Sequence, residues 1–215
     1  MVCQDAGRKL KPLAARLIPP LVVLGVWVSV LSWWTSGFSA FTTYSHTLLA
    51  AGPLPRPAPS FRIRDQFGVV HDTADFNGRH ILLQFSYLSC GDVCPISMAD
   101  FHRTHLALEN RMPDELVLLT VSFDPARDTT ERLLSSWSLH GRPTGWYLVA
   151  LASPLDDEIQ ADLQRLGFLV SRRDDKLFNH SAQAFLLDPE GQVVRVFDGP
   201  DNSSQMVAAV EERLR

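Results

Sequence analysis

Residues 80–95, HILLQFSYLSCGDVCP, decide the fold of this 215-residue chain. The run from His80 to Tyr87 is mostly apolar, as is typical of a strand that is buried on both faces. Pro95 follows Cys94 directly and suits the first turn of a helix, where its missing N–H would have no partner in any case. The segment therefore predicts a buried strand that passes through a cysteine-containing turn into a helix.

Outward from this unit, strand and helix patterns alternate to the end of the chain. Helices are predicted over 95–111, 129–140, 155–166 and 203–214, and strands over 61–64, 69–71, 80–87, 116–123, 146–151, 182–187 and 193–197. This order predicts an α/β fold with a central mixed sheet flanked by helices. The early βαβ unit and the late hairpin are those expected of a thioredoxin-like fold, and the same periodicity also fits other small α/β folds.

The N-terminal segment predicts a transmembrane helix. Residues Leu17 to Trp34 carry no charge and are mostly apolar, which is long enough to cross a bilayer. Four basic residues precede this run and the next is Arg56, so the positive-inside rule puts the N-terminus in the cytoplasm. The alternative is a cleaved signal peptide, for which the small residues within 36–40 offer a cleavage site. The length of the run and the tryptophans at its end favour a retained anchor.

The chain thus divides into four predicted segments. They are a basic cytoplasmic N-terminus over 1–16, a transmembrane anchor over 17–34, a proline-rich tether over 35–60 and a globular domain over 61–215. Alternating prolines between residues 53 and 59 favour an extended spacer. The net charge of −4 excludes a nucleic-acid binder, which needs a basic face to meet phosphates.

Cys90 and Cys94 carry the chemistry of the predicted turn. Residues four apart on a helical turn project to the same side, with Cα atoms about 6 Å apart. That spacing permits a disulfide or the shared coordination of a metal. The N-terminus of a helix also stabilises thiolates. The remaining alternatives are two buried thiols that act as small hydrophobic groups, or a structural disulfide whose short loop adds little stability.

We expect different environments for three histidines that follow this turn. His102 lies eight residues beyond Cys94, about 12 Å along a helix, which excludes one zinc ion held by both. His105 is expected to pack on the buried face of that helix. His180 is expected in a loop that follows a charged stretch, directly before a strand.

Three stretches resemble the motifs of the SCO/SenC family of copper-binding, thioredoxin-like proteins. They are FSYLSCGDVCP at 85–95, VSFDPARDT at 121–129, and His180-Ser181 followed by FLLDPEG at 185–191. The resemblance extends over about residues 61–214. The sequence departs from the common family pattern at four positions beside these motifs: Leu88, Ser89, Gly91 and Asn179.

The resemblance implies a copper site, for Cu(I), Cu(II) or both. Its ligands are Cys90, Cys94 and His180, and none of the four departures removes one of them. Thiolates suit Cu(I) and imidazole suits both copper states. Asp124 matches an acidic family position near the metal, which implies a supporting role for its carboxylate.

The function that the resemblance implies is that of a copper metallochaperone rather than an enzyme. It would help to assemble the CuA centre of cytochrome c oxidase from the periplasmic side of a bacterial inner membrane. Its expected partners are the copper-binding oxidase subunit and a periplasmic thiol reductant, since an oxidising compartment favours a disulfide between Cys90 and Cys94. One alternative is a thiol-disulfide oxidoreductase that uses this pair to reduce the acceptor's cysteines. Another is a redox-inert, membrane-tethered interaction domain.

Overall fold

The computed structural model describes residues 13–35, 37–38, 42–90, 94–174, 177–199 and 201–215. The chain divides into two compact units, residues 1–46 and residues 47–215. The globular domain and all the predicted site residues belong to the second unit.

The first unit contains helix α1, Leu13–Trp34, which includes two adjacent prolines, Pro19 and Pro20. Within it, Leu17–Trp34 is long and apolar enough to cross a membrane, by length and composition. A signal sequence near an N-terminus has the same properties. Helix α2, Thr43–Ala50, follows within the segment predicted as the tether. The extended conformation expected there is therefore wrong for these eight residues, whose sequence lacks proline.

The second unit is built on a mixed sheet with helices on both faces. The strands among the described residues are β1 (Arg56–Pro57), β2 (Arg62–Arg64), β3 (Val70–Asp72), β4 (His80–Ser86), β5 (Leu116–Ser122), β6 (Trp146–Leu151), β7 (Val170–Arg172), β8 (Phe178–His180), β9 (Ala184–Leu187) and β10 (Gln192–Phe197). The remaining α-helices are α3 (Cys94–Leu108), α4 (Thr130–Leu139), α5 (Asp157–Leu166) and α6 (Ser203–Arg213). Apart from the additional short elements, the bounds lie within a few residues of those predicted.

Eight strands form the central sheet in the order β1-β10-β9-β4-β5-β6-β2-β3. Strands β4, β5 and β6 are parallel, whereas β9 runs antiparallel to β4 and β2 antiparallel to β6. All seven residues of β4 and all seven of β5 are buried. This explains their mostly apolar sequences, because helices cover both faces of the parallel centre. The predicted thioredoxin-like α/β fold is confirmed.

Alternation along the strands divides the core into two layers. Phe85 of β4 and Val121 of β5 point to the face covered by α5, and Leu82 and Leu118 point to the face covered by α3, α4 and α6. Burying a side chain of this size contributes about 1.5–3 kcal/mol. The two layers hold the central strands rigidly, so the loops at the carboxyl ends of β4 and β5 start from fixed positions.

The end of the predicted tether is anchored to the globular unit by Arg56. Its guanidinium donates hydrogen bonds to the carbonyl oxygens of Gly52 at 2.7 Å and Leu166 at 2.9 Å. Leu166 is the last residue of α5, whose carboxyl end favours a cation. Burial lowers the pKa of Arg56. Residues 52–57 are thus part of the domain rather than part of a free spacer.

The second sheet has two strands, β7 and β8, and neither was predicted from the sequence. Its register pairs Val170 with His180 and Arg172 with Phe178. His180 is therefore the last residue of a strand, and the expectation of a loop there is wrong. Strands of three residues have too few positions to show an alternation of apolar and polar side chains, which is why the pattern could not be recognised.

Gly145 offers a test of how tightly the layer around β6 is packed. Its φ is +74°, and a Cβ added there would lie 2.7 Å from Cβ of Met112. Gly78 has a similar φ of +87° with nothing within 4 Å of its added Cβ. Gly78→Ala should cost about 1–2 kcal/mol, since it introduces backbone strain alone. Gly145→Ala should cost about 1–3 kcal/mol more, because it adds a clash in a packed core. Urea unfolding of the full chain in detergent measures both, and equal losses would contradict the packing described here.

Candidate metal centre

The predicted ligands come from three elements of the second unit. Cys90 lies in the loop between β4 and α3, Cys94 is the first residue of α3 and His180 ends β8. The structure brings Cys90 and His180 together, with 3.9 Å between Sγ of Cys90 and Nε2 of His180. Residues 91–93 and the side chain of Cys94 lie outside the described part of the chain. The role of Cys94 therefore stays a prediction.

The imidazole of His180 is held in one tautomer by its neighbour. Its Nδ1 lies 2.7 Å from the carbonyl oxygen of Ser181. Since a carbonyl can only accept, Nδ1 carries the proton, and in the neutral ring Nε2 keeps a lone pair. This lone pair belongs to the nitrogen nearest Cys90. Metal-binding histidines commonly have this arrangement, in which the second ring nitrogen donates to an oxygen.

Ser181 is held in turn by Leu169, the residue directly before β7. Its backbone N–H donates to the carbonyl of Leu169 at 2.9 Å, and its Oγ accepts a hydrogen bond from the N–H of Leu169 at 3.0 Å. The hairpin of β7 and β8 therefore determines both the position and the orientation of the His180 ring. The same hairpin supplies Phe178, which is buried beside the site.

Aromatic rings surround His180 on its protein side. Its ring centroid lies 5.3 Å from that of Phe123, 5.8 Å from Tyr87 and 6.2 Å from Phe168. Phe123 and Phe168 are fully buried, whereas His180 and Cys90 are partly exposed. An apolar wall of this kind limits the access of water to a bound metal.

Asp128 holds the loop that carries Cys90. Its Oδ2 accepts hydrogen bonds from the N–H of Leu88 at 2.8 Å and from the hydroxyl of Ser122 at 2.6 Å. Arg132 lies 3.4 Å from the other carboxylate oxygen and donates to Oγ of Ser89 at 3.2 Å. The loop between β4 and α3 is thus tied to the end of β5 and the start of α4. Asp128 was not among the predicted site residues, although it stands within the second of the three motifs.

Asp124 reaches the site through Arg127. The two side chains form an ion pair, and Asp124 is 5% exposed. The guanidinium carbon of Arg127 lies 5.7 Å from the ring centre of Tyr87 and 5.9 Å from that of Phe178. A guanidinium over these rings links the carboxylate to the aromatic wall of the site. The supporting role assigned to Asp124 stays a prediction.

The two histidines of α3 are separate from this centre. His105 is 6% exposed, and its Nε2 lies 2.9 Å from the carbonyl oxygen of Thr144, which confirms that it is packed. Among the described residues, no group of three or more His, Cys, Asp or Glu side chains could hold a metal ion. The side chain of Cys94 lies outside these residues.

Residues 52–215 match the family model described as SCO1/SenC. The chain belongs to the SCO1/SenC family. The match covers most of the chain and includes the three motifs on which the resemblance was based. The predicted family is therefore confirmed, and the match begins at the residue whose carbonyl Arg56 binds.

Three comparisons illustrate this SCO1/SenC membership. Protein sco1 of Schizosaccharomyces pombe is 25% identical over 170 residues, which cover 76% of this chain and 63% of that protein. The structure of Bradyrhizobium japonicum ScoI with copper bound has a TM-score of 0.59 and 24% identity, over 73% of this chain and 99% of that one. BsSco, described as a member of the Sco family of cytochrome c oxidase assembly proteins with a disulfide switch, has a TM-score of 0.60 and 19% identity, over 75% and 95% of the two chains. At these identities the two structures show the shared fold.

The pH dependence of stability tests the environment of Asp128. Burial raises the pKa of this carboxyl, against the opposing hydrogen bonds from Ser122 and Leu88. The folded state therefore binds more protons than the unfolded state above the ordinary pKa of about 4. Stability from this group is present below about pH 4 and is lost as pH rises through the raised pKa.

Asp128→Asn should remove this loss. The free energy of unfolding of wild type should therefore decline relative to that of the variant over the pH interval from about 4 to the raised pKa. Ser122→Ala removes a hydroxyl donor that lowers the pKa of Asp128, so in that variant the interval should extend to higher pH. Free energies of unfolding from urea titrations at several pH values provide the measurement. A difference between wild type and Asp128→Asn that does not change with pH would contradict the environment described for Asp128.

Proposed function

We propose that this chain is a membrane-anchored copper metallochaperone that holds copper with Cys90, Cys94 and His180. The observation that carries the proposal is the 3.9 Å approach of Cys90 Sγ to His180 Nε2, the ring nitrogen that keeps its lone pair. A metal with bonds of about 2.3 Å to sulfur and about 2.0 Å to nitrogen can bridge atoms at this distance, since the two bonds together exceed it.

The donor set supports copper over harder metals. Thiolate sulfur is a soft ligand that suits Cu(I), and imidazole suits both copper states. Cys94 begins the 15-residue helix α3, whose N-terminus favours a thiolate over a thiol. When copper is bound, the two cysteines and His180 would supply a two-sulfur, one-nitrogen set. Asp124, through Arg127, and Asp128, through Leu88, would keep the surrounding loop and rings in position.

The proposed role is delivery to the CuA centre of cytochrome c oxidase. BsSco belongs to the cytochrome c oxidase assembly proteins, and Bradyrhizobium ScoI binds copper, which supports this role. In the proposed transfer, thiols of the oxidase subunit replace Cys90 and Cys94 one after the other. This is a ligand exchange without a change in oxidation state. A thiol reductant is needed beforehand, because a disulfide between the two cysteines offers no thiolates.

The proposed location is the periplasmic face of a bacterial inner membrane. Helix α1 would be a single retained span, with the basic N-terminus in the cytoplasm and the second unit outside. Two features support this orientation: the apolar segment Leu17–Trp34 and the basic residues that precede it.

A second candidate function is thiol-disulfide exchange by Cys90 and Cys94. The disulfide switch described for BsSco favours it, and Cys90 is partly exposed, as an attacking thiolate must be. This chemistry proceeds through a mixed disulfide between Cys90 or Cys94 and a cysteine of the acceptor. It requires both cysteines but not the imidazole of His180, so the histidine distinguishes the two functions.

A Cu(I) competition titration tests the proposal. The reduced full chain in detergent, without oxygen, should bind one tight equivalent against a Cu(I) chelator. Cys90→Ala, Cys94→Ala and His180→Ala should each weaken it by about 100-fold or more, since losing even a group that only orients a ligand costs about 10–100-fold. His71→Gln is the matched control, because His71 pairs with Asp65 outside the site.

Copper affinity that does not depend on His180 would contradict the proposed centre. Exchange activity that depends on Cys90 and Cys94 but survives His180→Ala would instead support thiol-disulfide chemistry. The reduction potential of the cysteine pair would then be the quantity to measure.

A further inference from the structure

A groove of about 370 Å³ extends from Cys90 along α3 to a pair of histidines. Its lining includes Cys90, Met98 and His102 on the side of α3, and His140 at the end of α4. His102 and His140 also line a second groove on their far side. The two histidines therefore stand where both grooves meet, and both rings are partly exposed.

The two rings are close together and packed against one buried side chain. Their centroids lie 5.7 Å apart, with the ring planes at 86°. The ring of Trp146 lies 6.2 Å from His102 and 5.1 Å from His140. Trp146 is 1% exposed and donates from its indole N–H to Thr120, so it forms a fixed base beneath the pair.

Both imidazoles can offer a lone pair. Nδ1 of His140 lies 2.8 Å from the carbonyl oxygen of Ser136 and therefore donates to it, which leaves Nε2 as a ligand atom. Among the described residues, none forms a hydrogen bond with the ring of His102 in this structure. Burial lowers the pKa of His102, with further lowering by His140 and His105, so its ring is neutral at neutral pH. The neutral form is the one that binds metals.

We propose that His102 and His140 form a second, weaker Cu(I) site at the far end of this groove. Metal–imidazole bonds of about 2.0 Å fit between rings whose centroids are 5.7 Å apart, once the His102 ring turns to face the ion. That ring is partly exposed and borders both grooves. Zn²⁺ would need four ligands in a tetrahedral arrangement. Cu(I) can be held by two nitrogen ligands alone.

The spacing along α3 connects this site with the primary centre. Positions 94, 98 and 102 are four residues apart and share one face, with a rise of about 6 Å between neighbours. Met98, between the two ends, offers a thioether that is a soft ligand for Cu(I). Its sulfur accepts a hydrogen bond from Nε2 of Gln84 at 3.4 Å, which holds it at the groove.

Copper would thus pass from thiolate to thioether to imidazole by ligand exchange, with no electron gained or lost. Only this exchange rests on the proposed function; the existence of the histidine site does not. The site would hold Cu(I) where the groove meets solvent, either before it enters the primary centre or after it leaves.

The test uses a full chain without thiols, Cys3→Ala/Cys90→Ala/Cys94→Ala, in detergent and without oxygen. Titration with Cu(I) against a weak chelator should show one bound equivalent. His102→Gln and His140→Gln should each weaken it about 10-fold or more, and the double variant should be little worse than either single one, since the two residues serve one site. His71→Gln, which removes a histidine outside the grooves, should leave the affinity unchanged.

Copper X-ray absorption spectroscopy of the same thiol-free chain independently identifies the atoms that bind the copper. Nitrogen ligands without sulfur bonded to copper are expected. Each variant is first checked by circular dichroism and thermal unfolding, so that a loss of copper is compared only between folded chains.

Three results of the titrations would overturn the proposal: no copper bound by the thiol-free chain, binding that neither histidine affects, or an equal loss in His71→Gln. Sulfur as the main ligand in the absorption spectrum would also overturn it. If the proposed primary centre were wrong, the result would be different: wild type would bind no equivalent of Cu(I) that depends on Cys90 and Cys94.

Discussion

The hydrogen bond from Nδ1 of His180 to the carbonyl of Ser181, at 2.7 Å, fixes which ring nitrogen keeps a lone pair near Cys90. Without this bond the ring could turn or change tautomer, and Nε2 would no longer be the nitrogen aimed at the thiol. The bond depends on the β7–β8 hairpin, because Ser181 is held by Leu169 at the start of that hairpin. The geometry of the candidate copper centre therefore follows from two short strands outside the main sheet.

The other side of the centre depends on the rigid parallel strands. Strands β4 and β5 are buried throughout, and the loop that follows β4 is tied to the end of β5 by the buried carboxylate of Asp128. A charge in this position needs its hydrogen bonds, since burial without partners is costly. Cys90 is thus presented by a loop with a fixed origin, and its side chain stays partly exposed. This combination suits a protein that must hold a metal and also release it.

Much of the fold could be predicted from the sequence, for identifiable reasons. The apolar runs 80–87 and 116–123 correspond to strands buried on both faces, where burial imposes a continuous apolar sequence. The helices after them have long, regular patterns. The candidate ligands could be named because three family motifs follow one another in the expected order. The cysteine spacing alone also permitted a disulfide.

The features that escaped prediction lack a local signal. The strands of the hairpin that carries His180 have three residues each, so no alternation could develop. Helix α2 lies beside a proline-rich stretch that dominated the interpretation of that segment. The pairing of His102 with His140 joins positions far apart in the chain and on different helices, and only the packing of both on Trp146 brings them together.

The ¹⁵N NMR spectrum of the His180 imidazole shows directly which ring nitrogen carries the proton and which one binds copper. It would be recorded on the reduced full chain before and after one equivalent of Cu(I). The His180→Gln variant assigns the signals. We expect Nδ1 to be protonated in both states and only the Nε2 signal to shift strongly when copper binds. A proton on Nε2 in the copper-free chain, or a ring that does not respond to copper, would contradict it.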